Sequence, residues 1–269
     1  MNRLIIWRNE CDAHGRITLT DRRAEHIRTI LKCTPGDTLR AGFANETMAT
    51  GTVISVEDER CVVEIHENPD EPLPPPPTID LLLALPRPRF LERILPQLPP
   101  LGVRKIFLCG ADRVEKSFFG SQLLKKENYL PVLVEGVEQG GGIVVPDLRI
   151  ERNLRRLLQE ISKDYECKLV AHPTENKQGN FNTESTEDTE ILNLKNPNSP
   201  PCSPCPLCLK SLLIAIGCEG GWADRELTWM DDSGFQRFSL GERILRTDTA
   251  CIAVLAVLDY LINCEIRKN

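Results

Sequence analysis

Two short stretches hold the residues best suited to chemistry. The first is Ile214-Ala215-Ile216-Gly217-Cys218-Glu219-Gly220-Gly221. An apolar run breaks there into glycines, as when a buried strand ends in a loop whose backbone can approach a ligand closely. The second is Leu240-Gly241-Glu242-Arg243-Ile244-Leu245-Arg246-Thr247-Asp248-Thr249-Ala250. It reads as a glycine turn, an Ile-Leu pair, a lone cation, and then Thr and Asp at a helix start. Arg246 can stabilise developing negative charge. Glu219 and Asp248 can each accept a proton. Asp248 reads equally as a helix N-cap, and Arg246 as the salt-bridge partner of Asp248 or Glu242.

The surrounding pattern says what must position these loops. Short alternating segments fill the first part of the chain: Leu4 to Trp7, Arg16 to Leu19, Thr38 to Gly42, Thr47 to Val56, and Cys61 to Ile65. They predict a small β-barrel over residues 1–68. One helix, capped by Thr20 or Asp21, interrupts it with Ala24, Ile27 and Leu31 at helical spacing. The proline run at 69–77 predicts a stiff linker. Beyond it, over 78–269, apolar strands alternate with helical patterns. Ile79 to Leu85, Arg104 to Cys109, Lys168 to Ala171, Leu212 to Ile216 and Arg237 to Leu240 are the strands. The helices are Phe90 to Leu95, Tyr129 to Gln139, Leu154 to Ser162, Ala223 to Asp232 and Thr249 to Asn263. That alternation predicts a mostly parallel α/β sheet, whose ligands bind beyond the carboxyl ends of the strands. Both loops lie at such ends. The prolines Pro96, Pro99 and Pro100 require the helix from Phe90 to end near Leu95 or kink.

Taken together, the two stretches resemble the C-terminal signature of the knotted SPOUT methyltransferases. The chain is most similar to the ribosomal RNA small-subunit methyltransferase E family, which methylates N3 of a uridine in 16S rRNA. Leu101-Gly102-Val103, Arg113-Val114-Glu115-Lys116-Ser117, Glu138-Gln139 and Ala171-His172-Pro173 fit the same family pattern. The resemblance implies a deep trefoil knot, which the strand pattern alone does not distinguish from an ordinary doubly wound fold. It implies an N-terminal PUA-like domain that helps to hold RNA, and a homodimer. It also implies S-adenosyl-L-methionine as cofactor. The groups expected to hold it are His172, Ile216, Gly217, Glu219, Gly220, Gly221, Leu240, Gly241, Ile244 and Leu245, with Arg246, Glu219 and Asp248 at the chemistry. His172 reads equally as a structural residue at a strand end. Expected RNA contacts are Arg22, Arg23, Arg28, Lys32, Arg113 and Lys116. The sequence departs from the family at Cys218, where proline is usual, at Trp222-Ala223, at Gly140-Gly141-Gly142 and at the helix-breaking prolines.

A net charge of -6 excludes a uniformly basic nucleic-acid binder, but the cations cluster locally while many acids sit in one low-complexity stretch. That stretch, about 175–208, is rich in Asn, Thr, Ser, Glu and Pro, so it predicts a disordered insertion. Within it Cys202, Cys205 and Cys208 are spaced like part of an iron–sulfur run, but the fourth cysteine is missing, so no metal is expected. The remaining cysteines mostly sit singly in apolar runs, which predicts a reducing, cytoplasmic setting. No apolar run is long enough to span a bilayer, and the apolar core at the N-terminus is too short for a signal peptide. Two other functions fit the same fold: a SPOUT ribose methyltransferase and a non-catalytic RNA-binding ribosome assembly factor.

Overall fold

The computed structural model describes residues 1–73, 76–173 and 212–266. The expected insertion at 175–208 and its Cys202, Cys205 and Cys208 lie outside the described residues, as do Pro74 and Pro75 of the proline run. Two compact units form. The first contains Met1–Pro77, Leu95–Arg104 and Lys125–Pro146; the second contains Thr78–Ile94, Lys105–Leu124 and the chain from Asp147. The first unit therefore draws in two segments that follow the proline run.

The first unit is built on a five-stranded sheet in the order β1-β3-β4-β5-β2. Its strands are β1 (Leu4–Ile6), β2 (Arg16–Leu19), β3 (Thr38–Phe43), β4 (Met48–Val56) and β5 (Cys61–Glu67). Alternation along β2 puts Ile17 and Leu19 inside and leaves Arg16 and Thr18 exposed. The register shifts between Val53 and Ser55, a bulge that bends β4. Helix α1 (Arg22–His26) starts at Asp21, whose side chain accepts from the Arg23 amide. It then widens into a π-helical turn over Ile27–Leu31 and stops at Lys32, which adopts a left-handed conformation.

Six strands form the sheet of the second unit, in the order β11-β9-β10-β6-β7-β8. They are β6 (Ile79–Ala84), β7 (Val103–Cys109), β8 (Asp147–Glu151), β9 (Cys167–Ala171), β10 (Leu212–Ile216) and β11 (Gln236–Phe238). β8 had no counterpart in the strand pattern, because its partly exposed Arg149, Ile150 and Glu151 do not read as a buried run. β10 pairs in parallel with both β6 and β9, and β9 with β11. Both β6 and β10 are buried at every position, as a parallel strand covered on two faces requires. Helices α2 (Pro88–Ile94), α4 (Leu154–Ile161), α5 (Asp224–Asp232) and α6 (Thr247–Ile266) belong to this unit, and α3 (Lys126–Gly140) to the first. As the prolines demand, α2 ends at Ile94 and gives way to 3-10 turns over Leu95–Gln97 and Pro99–Leu101. α6 buries Cys251, Val254, Leu255, Leu258 and Ile262 but leaves Ile252 37% and Tyr260 65% exposed.

Within the first unit one buried carboxylate ties α3 to the sheet. The backbone carbonyl of Glu138 accepts from the amides of Asn2 and Arg3 at 2.8 and 3.2 Å. Its Oε1 accepts from the Ile5 amide at 3.4 Å, and its Oε2 lies 2.7 Å from Nη2 of Arg22 without an aligned hydrogen bond. Burial pushes this carboxyl above the usual range, and the Arg22 guanidinium only partly restores it. A carboxyl with a raised folded pKa keeps its proton after the unfolded chain has lost it. Ionising it therefore removes stability as the pH rises from the ordinary carboxylate value through the raised one. Glu138→Gln should abolish that loss. Urea unfolding of both proteins between about pH 4 and about pH 7 should show the variant gaining on the native chain as pH rises. A difference that is flat across this range would remove Glu138 as a titrating group.

Candidate active site

Strands β11, β9 and β10 are neighbours, and all run the same way. Phe238 pairs with Ala171, Ala215 with Val170, and Ile216 with Leu83. The three strands therefore finish at one level, and the loops that leave them lie side by side. The His172 amide donates to the Phe238 carbonyl at 3.0 Å and extends that join beyond the sheet.

Where the loops meet is a cleft of about 370 Å³. His172, Ile216, Gly217, Glu219, Gly220, Gly221, Leu240, Ile244 and Leu245 all line it, so one space collects nine of the ten residues expected to hold the cofactor. Gly241 is not among the lining residues. It holds a positive φ of 133°, and its carbonyl accepts from the Ser239 hydroxyl at 2.7 Å, so it shapes the turn instead. Trp222, Phe238 and Val254 also line the cleft, as do Thr247 and Ala250 of the second stretch, although none of the five was among the residues expected to hold the cofactor. A strand-end position was the available signal for Phe238, and the residue after a glycine pair was the signal for Trp222.

The glycine loop is tight. Gly221 donates to the Cys218 carbonyl at 2.8 Å and takes a φ of 70° that favours glycine. A Cβ on Gly217 would stand 2.9 Å from the Gly221 Cα, closer than backbone can tolerate. Gly220 faces the Arg113 side chain, and Arg113 donates from Nη1 to the Gly220 carbonyl. Arg113, expected to touch RNA, thus sits on the wall of the cleft and braces its loop. Cys218 is buried there, and desolvation pushes its thiol upward, so it remains a neutral apolar group. The indole Nε1–H of Trp222 is buried with no acceptor among the described residues.

A smaller recess of about 190 Å³ adjoins the cleft and shares Glu219, Ile244, Leu245 and Thr247 with it. Phe90, Arg246 and Asp248 complete its walls. The Arg246 guanidinium lies 5.1 Å from the centre of the Phe90 ring, and its Nε is 3.7 Å from Asp248 Oδ1. The side chain of Arg246 is nonetheless 66% exposed. The two carboxylates differ. Asp248 is nearly buried, lies 3.2 Å from Arg93, and accepts from the Thr249 amide at 2.9 Å. Glu219 is exposed, with one oxygen accepting from the Arg87 amide at 3.1 Å. Phe90 carried no functional signal in the sequence, because a lone aromatic in a helix most often marks core.

The other expected RNA contacts are more committed than their charges suggest. Arg23 is only 12% exposed and sits 2.6 Å from Glu10 and 2.9 Å from Asp21, donating also to the Ile5 carbonyl. Arg22 holds Glu138, and Arg28 lies 3.9 Å from Asp58. Lys32 and Lys116 are exposed.

Comparisons with known proteins identify the relatives of this chain. A family model described as an RNA methyltransferase domain matches residues 74–259. The ribosomal RNA small subunit methyltransferase E of Treponema pallidum is 30% identical over 263 residues, covering 95% of this chain and 90% of that protein. The Bacillus subtilis protein of the same name is 26% identical over 250 residues, covering 90% and 89%. A crystal structure of the Neisseria gonorrhoeae protein of that name, bound to S-adenosyl methionine, superposes with a TM-score of 0.71 at 21% identity, covering 97% and 98%. The resemblance read from the glycine loops and the match along nearly the whole chain point the same way: the chain belongs to the ribosomal RNA small-subunit methyltransferase E family of RNA methyltransferases.

Proposed function

We propose that this protein transfers a methyl group from S-adenosyl-L-methionine to N3 of a uridine in the 16S rRNA of the small ribosomal subunit. The observation that carries the reading is the single cleft where the three strand-end loops converge. Residues 78–269 would form the methyltransferase domain with its trefoil knot, and 1–68 a PUA-like domain that holds RNA. The mixed five-stranded sheet supports the latter. Seven free thiols among the described residues support a reducing, cytoplasmic setting. The exposed Ile252 and Tyr260 on α6 support a homodimer.

The residues present fit the cofactor. Glycine at 217, 220 and 221 lets the loop fold tightly against its own backbone and Arg113 at the cleft wall, where a side chain would push it out of place. Leu240, Ile244 and Leu245 are 38%, 83% and 38% exposed, an apolar lip that a flat base would cover. The Trp222 N–H offers an unused donor in the same wall. When bound, S-adenosyl-L-methionine supplies a methyl group activated on a sulfonium.

The chain's own work is then to orient the uracil and manage its N3 proton. We place the base in the recess beside the cleft. Arg246 offers a cation to the carbonyl oxygens that gain charge as N3 is deprotonated. Glu219 accepts the proton, since it lines both spaces and is exposed, whereas Asp248 is turned to Arg93 and the start of α6.

Substitutions at four positions test this. Gly217→Ala should weaken cofactor binding by tenfold or more, equal to about 1.4 kcal/mol of loop displacement, as measured by calorimetry; unchanged affinity would misplace the pocket. Arg246→Ala should slow single-turnover methylation of small subunits by on the order of a hundredfold while cofactor affinity holds, and Arg246→Lys should restore only part of the rate. An alanine variant with native turnover would remove Arg246 from the chemistry. Glu219→Gln should likewise lower the rate by about a hundredfold or more. Asp248→Asn should instead lower the melting temperature, and the reverse pairing would exchange the roles of the two carboxylates.

A further inference from the structure

A second cleft lies on the same sheet, at the carboxyl ends of β7 and β8. Its volume is about 630 Å³, and Lys116, Phe119, Arg152, Arg225 and Trp229 line it. Its chemistry differs from the first. Arg152 lies over the Phe119 ring at 5.1 Å, and Arg225 over the Trp229 ring at 5.7 Å. Arg155 approaches Trp229 from the start of α4 at 5.6 Å. Both rings are half-buried, so they are held rather than free to swing.

The acids in this cleft are already committed. Glu226 is buried and accepts from the amides of Asp112 and Ala223 at 2.7 and 2.8 Å. Asp112 is bound to Arg225, which holds its carboxyl below the usual range. Lys116 and Arg152 stay exposed, and neither makes an ion pair among the described residues. The cleft thus presents fixed aromatic and guanidinium planes beside exposed cations. Planes of this kind stack bases, and cations follow a phosphate backbone.

Placement relates it to the methyl-transfer site. One loop walls both spaces, with Arg113 in the first cleft and Asp112 and Val114 in the second. Trp222, just before α5, lines the first, while Arg225 and Trp229 on α5 line the second. Glu226 clamps this loop to α5, so the two clefts keep a fixed spacing.

We propose that this second cleft binds single-stranded RNA flanking the target uridine, stacking unpaired bases on Phe119 and Trp229 while Lys116 and Arg152 meet phosphates. The proposal rests on the reading of the chain as an rRNA methyltransferase and adds where the substrate strand runs beyond the reacting base.

The test is binding of the full chain to a fluorescein-labelled oligouridine of about ten nucleotides, followed by anisotropy, with a duplex RNA of equal length as control. Phe119→Ala and Trp229→Ala should each weaken oligouridine binding roughly fivefold or more. Because loss of a half-buried ring can disturb folding, Lys116→Gln and Arg152→Gln serve as a second pair. Each should flatten the dependence of log affinity on log salt by about 0.7. Affinity for S-adenosyl-L-methionine should stay at the native value in all four. Native affinity for oligouridine in the ring variants, unchanged salt slopes, a preference for duplex, or no saturable binding by the native protein would each overturn the proposal. Failure of the native protein to bind S-adenosyl-L-methionine would count against the methyltransferase reading alone, since oligouridine binding is read separately.

Discussion

Phe238, Ala171 and Ile216 end three parallel strands at one level, and the candidate site depends on that register. A slip of one residue in β10 would turn its side chains to the opposite face and move the glycine loop along the strand axis by about 3.3 Å. β10 is buried at every position, which gives its register a large apolar weight. The order β11-β9-β10 adds the second constraint. The last strand of the sheet pairs with β9 rather than with its predecessor in sequence, so the chain from β10 must return past β9. After β11 the chain turns again, and the loop ending in Arg246 lines the cleft on its way to α6.

Polar groups then lock the loops that the strands deliver. Glu226 answers two loop amides from a buried position at the carboxyl ends, while at the amino ends of the strands Asp80 accepts from the Tyr165 hydroxyl at 2.6 Å. Buried carboxylates are tolerated when such donors surround them. The result is a rigid frame at the carboxyl ends of the strands, with its exposed groups concentrated in the loop that carries Ile244 and Arg246. A braced floor beneath an exposed apolar lip suits a site that must admit a large substrate and still align reacting atoms.

The cations illustrate how far local charge counting reaches. Arg22, Arg23, Arg28 and Lys32 form one basic segment in sequence, yet the fold assigns most of them to internal partners. A guanidinium with five donors closes such pairs readily, and a charge spent on Glu10 or Glu138 is no longer offered to phosphate. Several cations set beside aromatic rings come instead from segments far apart in the chain: Arg246 beside Phe90, Arg152 beside Phe119 and Arg155 beside Trp229.

The sequence by itself determined the elements and the chemistry they carry. Strand and helix positions followed from period-2 and unbroken apolar runs, the end of α2 from its prolines, and eight of the cleft-lining residues from two glycine loops and the family they resemble. Those signals are local: a missing side chain, a missing amide proton and a buried run act within a few residues. Tertiary structure decided the rest. It placed Gly241 in the turn rather than on the cleft wall, turned Asp248 to Arg93, exposed Glu219, brought Phe90 under Arg246, and put Arg113 against Gly220. It also supplied β8 and drew Leu95–Arg104 and Lys125–Pro146 into the first unit. Each of these outcomes depends on which distant segments become neighbours, and that is set by strand order and burial across the whole sheet, not by any residue's own type or spacing.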